Sequence, residues 1–232
     1  MIFTSSPRLA VFDCDGTIVD SQASIILAMV SAFEAHSHPI PNDKSIRQVV
    51  GLPLRVGMEK LLPNADFSEH VKLENSYKES FGDLRRRGTI DDPLYPGVSD
   101  VLNVLEDSGW ILGVATGKST RGLKMTLEKY DLIDKFETLQ TSDTAPGKPD
   151  PRMLFNAMRD TGTDAESTIM IGDTTFDIEM AVNARVKAIG VSWGYHHQDE
   201  LNSAGANVIA NEFFLLPKML NELINTPQKS DR

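Results

Sequence analysis

From residue 98 to 223 the chain alternates short apolar runs with segments of helical spacing. Strands are expected at 110–115, 136–140, 168–171, 188–191 and 207–210, and helices at about 98–107, 119–130, 151–160, 175–184 and 214–223. Strands that alternate with helices imply a parallel sheet covered on both faces, because each parallel crossover needs a long connection. The expected class is α/β, with a doubly wound sheet.

One further strand lies far upstream. The apolar run Leu9-Ala10-Val11-Phe12 reads as a short buried strand, and Asp13, Asp15 and Gly16 end it. Between Gln22 and Gly88 there is no good strand candidate. Helices are expected at 22–34, with Ser21 as N-cap, and at about 43–50, 54–62 and 67–87. The last of these closes on Arg85-Arg86-Arg87-Gly88, read as a helix terminus meeting solvent. A helical block is therefore inserted after the first strand. The expected domains are an α/β core of 1–16 and 92–225 and a helical cap of 17–91, with 226–232 a disordered tail. Two connections between the parts allow a lid to close over the strand ends.

A net charge of −10 argues against a nucleic-acid partner, which favours basic surfaces. It does not forbid an anionic substrate where a metal neutralises carboxylates. The single Cys14 excludes an internal disulfide framework and suits a reducing compartment. No secretory pattern opens the chain, and no apolar run nears the ~18 residues of a membrane span, so a cytoplasmic protein with no membrane partner is expected. Oligomeric state is left open.

Ligands of open α/β sheets bind at the carboxyl ends of the strands. Four groups of polar residues fall there. Asp13 and Asp15 suit a hard cation such as Mg²⁺, and one of them suits a nucleophile. Thr116-Gly117 precedes a helix whose N–H groups suit phosphate, although Thr116 or Ser119 equally suits an N-cap. Lys148 stands in a loop stiffened by Pro146, Pro149 and Pro151, where a fixed ammonium would offset developing charge. Gly172-Asp173 and Asp177 straddle a strand end and a helix start, where Asp177 also suits a first-turn acid. His36, His38, His196 and His197 are too irregularly placed to assign to a metal, and Cys14 is read as a small buried apolar residue.

As an ordered set, Asp13-Cys14-Asp15-Gly16-Thr17, Thr116, Lys148 and Gly172-Asp173 to Asp177 resemble the haloacid dehalogenase-like superfamily. Within it, the placement of the helical block resembles the phosphoglycolate phosphatase-like group, with a Rossmann-like core and an α-helical cap inserted after the first motif. The resemblance implies that Asp13 is the nucleophile and forms an aspartyl-phosphate, and that Asp15 is the general acid and then the base. It implies Mg²⁺ on Asp13, the Asp15 backbone carbonyl and Asp173, with Asp177 holding a metal-bound water or orienting Asp173. Thr116, the Gly117 N–H and Lys148 would grip the phosphoryl oxygens. An aspartate at position 15 favours phosphate esters or anhydrides over the dehalogenase branch. The cap loop 50–55 would read the substrate, with Arg55 or Arg47 as candidates for a second anionic group. The expected function is a Mg²⁺-dependent phosphatase acting on a small phosphorylated metabolite, such as phosphoglycolate or a sugar phosphate. A phosphomutase resembling β-phosphoglucomutase, a pyrophosphatase or nucleotidase, and a metabolite-binding protein are the alternatives.

Overall fold

A computed structural model describes residues 7–89 and 91–226. Of the expected tail at 226–232, residues 227–232 lie outside the described residues, as do the first six residues and Ile90.

The strands β1 (Arg8–Phe12), β2 (Trp110–Ala115), β3 (Thr138–Gln140), β4 (Thr168–Gly172), β5 (Lys187–Val191) and β6 (Val208–Ala210) form one sheet in the order β3-β2-β1-β4-β5-β6. Every pairing is parallel. The upstream strand β1 is thus central, with Phe12 opposite Val114 on one side and Ile171 on the other. Strand order reverses across β1 and β4, and such a reversal opens a crevice beyond the strand ends. Asp13, Thr116 and Asp173 follow the last residues of three adjacent strands around that crevice.

Alternate residues of β1 feed opposite faces of the sheet, as a strand period of two requires. Ala10 and Phe12 pack with α5 (Val98–Asp107) and α10 (Leu216–Ile224). Leu9 and Val11 pack with α7 (Arg152–Thr161) and α8 (Thr175–Asn183). Burial on both faces explains the near-continuous apolar runs of β1 and β4. Lys187 is the exception on β5. Its ammonium donates to the carbonyls of Leu223 and Thr226 at 2.9 and 2.5 Å, next to the C-terminus of α10, where a cation is favoured.

Four helices fill the insertion: α1 (Gln22–Ala35), α2 (Asp43–Arg47), α3 (Leu54–Leu61) and α4 (Phe67–Arg86). They are an inserted helical cap with their own apolar cluster of Ile25, Met29, Phe33, Ile46, Met58 and Leu73. Tyr195, from the loop after β5, packs into that cluster and ties the cap to the core.

Several local expectations change. The second cap helix stops at Arg47 rather than 50, and turns carry the chain to Gly51. Arg85 is not a solvated terminus: it donates to Thr126 Oγ1 at 3.1 Å and lies 3.6 Å from buried Asp92. Arg86 does face solvent. The third strand begins at Thr138, after a 3-10 turn at Ile133–Lys135. The sequence reading had no helix between β5 and β6, yet α9 (Gln198–Ala204) stands there, started by a capping box of His197 and Glu200. Among the described residues, no helix is long and apolar enough to cross a membrane.

Candidate active site

The Asp13 N–H donates to Ile171 O at 2.9 Å, which carries the β1–β4 pairing one residue past the strand. The chain then turns tightly, with the N–H groups of Ile18 and Val19 both donating to Cys14 O. Cys14 points into the apolar core, and burial pushes its thiol up, which suits an inert role.

Oxygens of Asp13, Asp173 and Asp177 all lie within 4.8 Å of one another, and all three residues are buried. Lys148 is fully buried among them, 2.8 Å from Asp13 Oδ1 and 2.5 Å from Asp177 Oδ1. These are ion pairs without hydrogen-bond angles, so both carboxylate oxygens keep acceptor capacity. The remaining contacts are well directed. Asp173 accepts from Thr17 Oγ1 and from the Tyr195 N–H, each at 2.8 Å. Asp177 Oδ2 accepts from the Thr174 N–H at 3.0 Å and from Thr174 Oγ1 at 2.7 Å. Asp177 is therefore both the third residue of a helix capping box and a partner of Lys148.

Three carboxylates face one ammonium in this cluster, and burial magnifies their mutual repulsion. Burial, with Asp177 and Asp15 adding to it against Lys148, raises the Asp13 carboxyl from 3.8 to about 7. Burial, then Asp13 and Asp177, pushes Asp173 well above the usual carboxylate range. Burial opposes the charge on Lys148, but Asp13 and Asp177 outweigh it and hold the ammonium above its ordinary value. A divalent cation would relieve the excess negative charge, and the oxygen-only donors suit a hard ion.

Asp15 turns its side chain another way. Its Oδ1 accepts from Ser21 Oγ at 2.5 Å and from Lys118 Nζ at 2.6 Å, and its Oδ2 accepts from Lys118 at 2.8 Å. Ser21 precedes α1 as expected but makes no side-chain cap, because its hydroxyl is committed to Asp15. Thr116 is buried, and its Oγ1 accepts from the Lys118 N–H at 3.3 Å. The N-cap of α6 (Thr120–Lys129) is Ser119, which accepts from the Gly122 N–H, so Thr116 is not the helix cap.

The cap loop Gly51-Leu52-Pro53 lies directly on the core loops. A Cβ on Gly117 would come within 3.1 Å of the carbonyl oxygens of Gly51 and Leu52, and one on Gly147 would fall 2.0 Å from Pro53 Cγ. Neither position has room for a side chain while the cap is seated. Gly147→Ala is therefore expected to lift the loop, since a proline ring cannot move aside by rotamer change. Steady-state kinetics should show a loss in kcat/KM of about tenfold or more, from misplacement of the closing loop. Unchanged kinetics would mean that this contact is not part of the working state.

Arg55 and Arg47 do not join the carboxylates. Arg55 pairs with Glu74 at 2.9 Å and stacks on Phe67, both on α4. Arg47 borders a surface recess with Asp20, Gln22 and Asp43. The histidines are occupied elsewhere: His38 meets Glu69, His197 caps α9, and His196 Nδ1 accepts from the Thr175 N–H at 3.1 Å. Sequence reasoning missed Lys118, Ser21, Thr17 and Tyr195. Lys118 carried one signal, its place directly after Thr116-Gly117 before a helix.

Comparison with known proteins agrees with this geometry. The model of the haloacid dehalogenase-like hydrolases matches residues 10–191. A protein of Dickeya dadantii (strain 3937) named "Probable phosphatase IndB" is 36% identical over 209 residues, covering 88% of this chain and 90% of its own. A "Phosphoglycolate phosphatase" of Nitrosococcus oceani is 28% identical over 223 residues, covering 93% and 97%. Among solved structures, "a predicted phosphatase from Clostridium acetobutylicum" superimposes with a TM-score of 0.84 at 28% identity, covering 94% of this chain and 100% of its own.

Proposed function

The chain belongs to the haloacid dehalogenase-like hydrolases and is a phosphatase, and from that premise we propose that it is Mg²⁺-dependent and acts on a small phosphorylated metabolite through an aspartyl-phosphate on Asp13. The observation that carries this reading is the buried Asp13 carboxylate at the sheet's switch point, with Lys148 and two further carboxylates around it. In the first half-reaction an Asp13 oxygen bonds to phosphorus, the ester P–O bond breaks, and Asp15 gives its proton to the leaving oxygen. In the second, Asp15 takes a proton from water as that water attacks phosphorus, and the carboxylate of Asp13 leaves. Thr116, the Gly117 N–H and Lys148 hold the phosphoryl oxygens through both steps. Substrate would have to share Lys148 with Asp13 and Asp177, which the unsatisfied hydrogen-bond geometry of that ammonium permits.

Asp13, Asp173 and the Asp15 carbonyl would hold the ion, with Asp177 behind them. Bound there, Mg²⁺ would neutralise phosphoryl and carboxylate charge. The residues of 17–91 act as the cap, and the loop pressed on Gly117 and Gly147 limits the leaving group to a small one. Phosphoglycolate or a sugar phosphate fits that limit, and relatives named phosphoglycolate phosphatase support the first. A cytoplasmic setting belongs to the same proposal, supported by the lone reduced Cys14. The test is release of inorganic phosphate from a panel of phosphorylated metabolites, with Mg²⁺ and with chelator. Release without any bisphosphate requirement supports the hydrolase. No release from any compound by the folded protein overturns it.

Metal dependence should also appear in stability. With Asp13 at about 7 against 3.8 for a free carboxyl, the folded state holds this proton more tightly than the unfolded chain. The stabilisation is complete below about 4 and is lost as pH rises through about 7. In chelator the melting temperature should therefore decline across that window. Mg²⁺ competes with the proton, so its effect should be small at pH 5 and large at pH 8. At a hundredfold excess over Kd the gain is about 2.7 kcal/mol, or roughly 5–10 °C for a chain of this size. A Mg²⁺ shift that is absent, or equal at both pH values, would refute the assignment.

A further inference from the structure

Asp173 is held from one short loop, residues 193–196 after β5. The Tyr195 N–H donates to its Oδ2 at 2.8 Å, and the His196 N–H donates to its backbone carbonyl at 3.3 Å. Its Oδ1 accepts from Thr17 Oγ1 at 2.8 Å, and the Thr17 carbonyl in turn accepts from Trp193 Nε1 at 3.2 Å. Gly194 lies against the same side chain: a Cβ there would fall 2.2 Å from Asp173 Cβ. Each carboxylate oxygen thus has one directed donor and keeps acceptor capacity for an ion.

Gly194 has no side chain to anchor the loop and the freest backbone of any residue type. The anchors are its two neighbours, whose rings go to different places. Trp193 packs on Phe213 beside the sheet. Tyr195 is buried in the apolar cluster of the inserted helices. A Cβ on Gly16 would fall 2.5 Å from Tyr195 Cδ2 and 2.3 Å from Asp173 Oδ2, so ring, carboxylate and the turn after β1 meet at one point. The hydroxyl has a separate partner. Ser21 commits its only proton to Asp15, so Tyr195, 3.2 Å away, is the donor to Ser21 Oγ. The peptide plane that carries the Tyr195 N–H hangs between flexible Gly194 and the Cα that bears the ring, so packing the ring fixes its direction. We infer that Tyr195 is a positioning residue for the ion: its ring, seated among the inserted helices, aims its N–H at Asp173 and couples Mg²⁺ affinity to the seating of those helices. This inference rests on the Mg²⁺ reading above. The coupling is reciprocal, so bound Mg²⁺ stabilises the seated helices by the same factor.

The test titrates the substrate-free protein with Mg²⁺ at pH 8 by calorimetry, for the wild type, Tyr195→Ala, Tyr195→Phe and Leu154→Ala. Tyr195→Ala keeps the N–H but removes its anchor, and should weaken Mg²⁺ binding by about tenfold or more, the scale for groups that orient metal ligands. Tyr195→Phe keeps the packed ring and should bind within about twofold of the wild type. Leu154→Ala truncates a buried residue in a different apolar cluster and should lower the melting temperature without moving the affinity by more than about twofold. Hydrogen–deuterium exchange gives the reciprocal reading on the wild-type protein. Mg²⁺ should slow exchange in α1, whose buried face shares the cluster with Tyr195, and Tyr195→Ala should lose most of that protection. If the alanine variant does not fold, the wild-type exchange still decides. Equal Mg²⁺ affinity in the wild type and Tyr195→Ala overturns the inference, because a purely structural ring would change stability alone. So does Mg²⁺ binding to the wild type that leaves exchange in α1 unchanged, and so does an equal loss in Tyr195→Phe, which would assign the effect to the hydroxyl. In each of these cases the Mg²⁺ reading stands. If the wild-type protein binds no Mg²⁺, both fall together.

Discussion

Asp13→Asn is expected to lower Mg²⁺-dependent phosphate release by at least about 10⁴-fold, the scale on which loss of a covalent nucleophile acts. The change is nearly isosteric, so the fold around it should persist. The carboxamide cannot form the acyl phosphate, and it withdraws one negative charge from the place where the ion would bind. Stability should move the other way. Asp13 sits with Asp173 and Asp177 in a buried cluster that holds a single ammonium, and its carboxyl is raised to about 7 by that crowding. Removing one of three mutually repelling charges relieves the cluster, while Lys148 keeps Asp177 as a partner. In chelator at pH 8 the variant should melt no lower than the parent, and the Mg²⁺-dependent rise should shrink. A phosphate-release assay and a thermal melt on the same preparation give both answers. Activity above about 1% of the parent would remove Asp13 from the nucleophile's role.

The opposite signs of these two effects explain why this site was readable in the chain. A strand that ends in Asp13 and Asp15, and another that ends in Asp173, break local rules: acids are poor strand neighbours and costly when buried. Such violations mark function, and here they marked the crevice. The α/β fold was legible for a related reason. Strands buried on both faces are written as apolar runs, and β1, β2, β4 and β5 appear close to where those runs place them. What stayed hidden had no periodic signal. The helix α9 is a polar heptapeptide with only Leu201 buried, fixed by its capping box rather than by an apolar stripe. The strand pairing order also had to come from the structure, since nothing in the run at 9–12 says that it lies between β2 and β4. In the sequence Ser21 reads as an N-cap, and Lys118 carries only its place after Thr116-Gly117. Their meeting with Asp15 depends on how the turn after β1 folds back, and a linear reading does not contain that distance. Tyr195 is a similar case: its backbone N–H holds Asp173 while its ring joins the apolar cluster of the inserted helices, a coupling across 22 residues of sequence.

Lys148→Met should be the more damaging of the two changes to the fold, and it should lower activity as well. The side chain is fully buried, and both of its contacts are carboxylates, Asp13 and Asp177. Methionine has a similar length and fills the volume, so packing loss is a minor effect. The loss is electrostatic: three buried carboxylates would then face no cation. Breaking a buried ion pair by removing one partner costs about 3–5 kcal/mol, which corresponds to a fall in melting temperature of roughly 6–20 °C in chelator. Asp177 suffers along with Asp13, and because its other oxygen caps α8 through Thr174, the damage should spread to that helix. Mg²⁺ should recover part of the stability, because an ion held by Asp13 and Asp173 supplies positive charge to the same oxygens. It should not recover turnover, because the transferred phosphoryl group would lose its fixed ammonium, a loss worth about 10²–10³-fold or more. This split distinguishes two roles for Lys148. If the residue only balanced charge, Mg²⁺ would restore activity in step with stability. If it also holds the phosphoryl group, the melting temperature will return and phosphate release will not. Melting below the chelator value of the parent by less than about 2 °C would show instead that the cluster discharges itself by taking up protons, and the pH dependence of the melt would then shift toward acid stability.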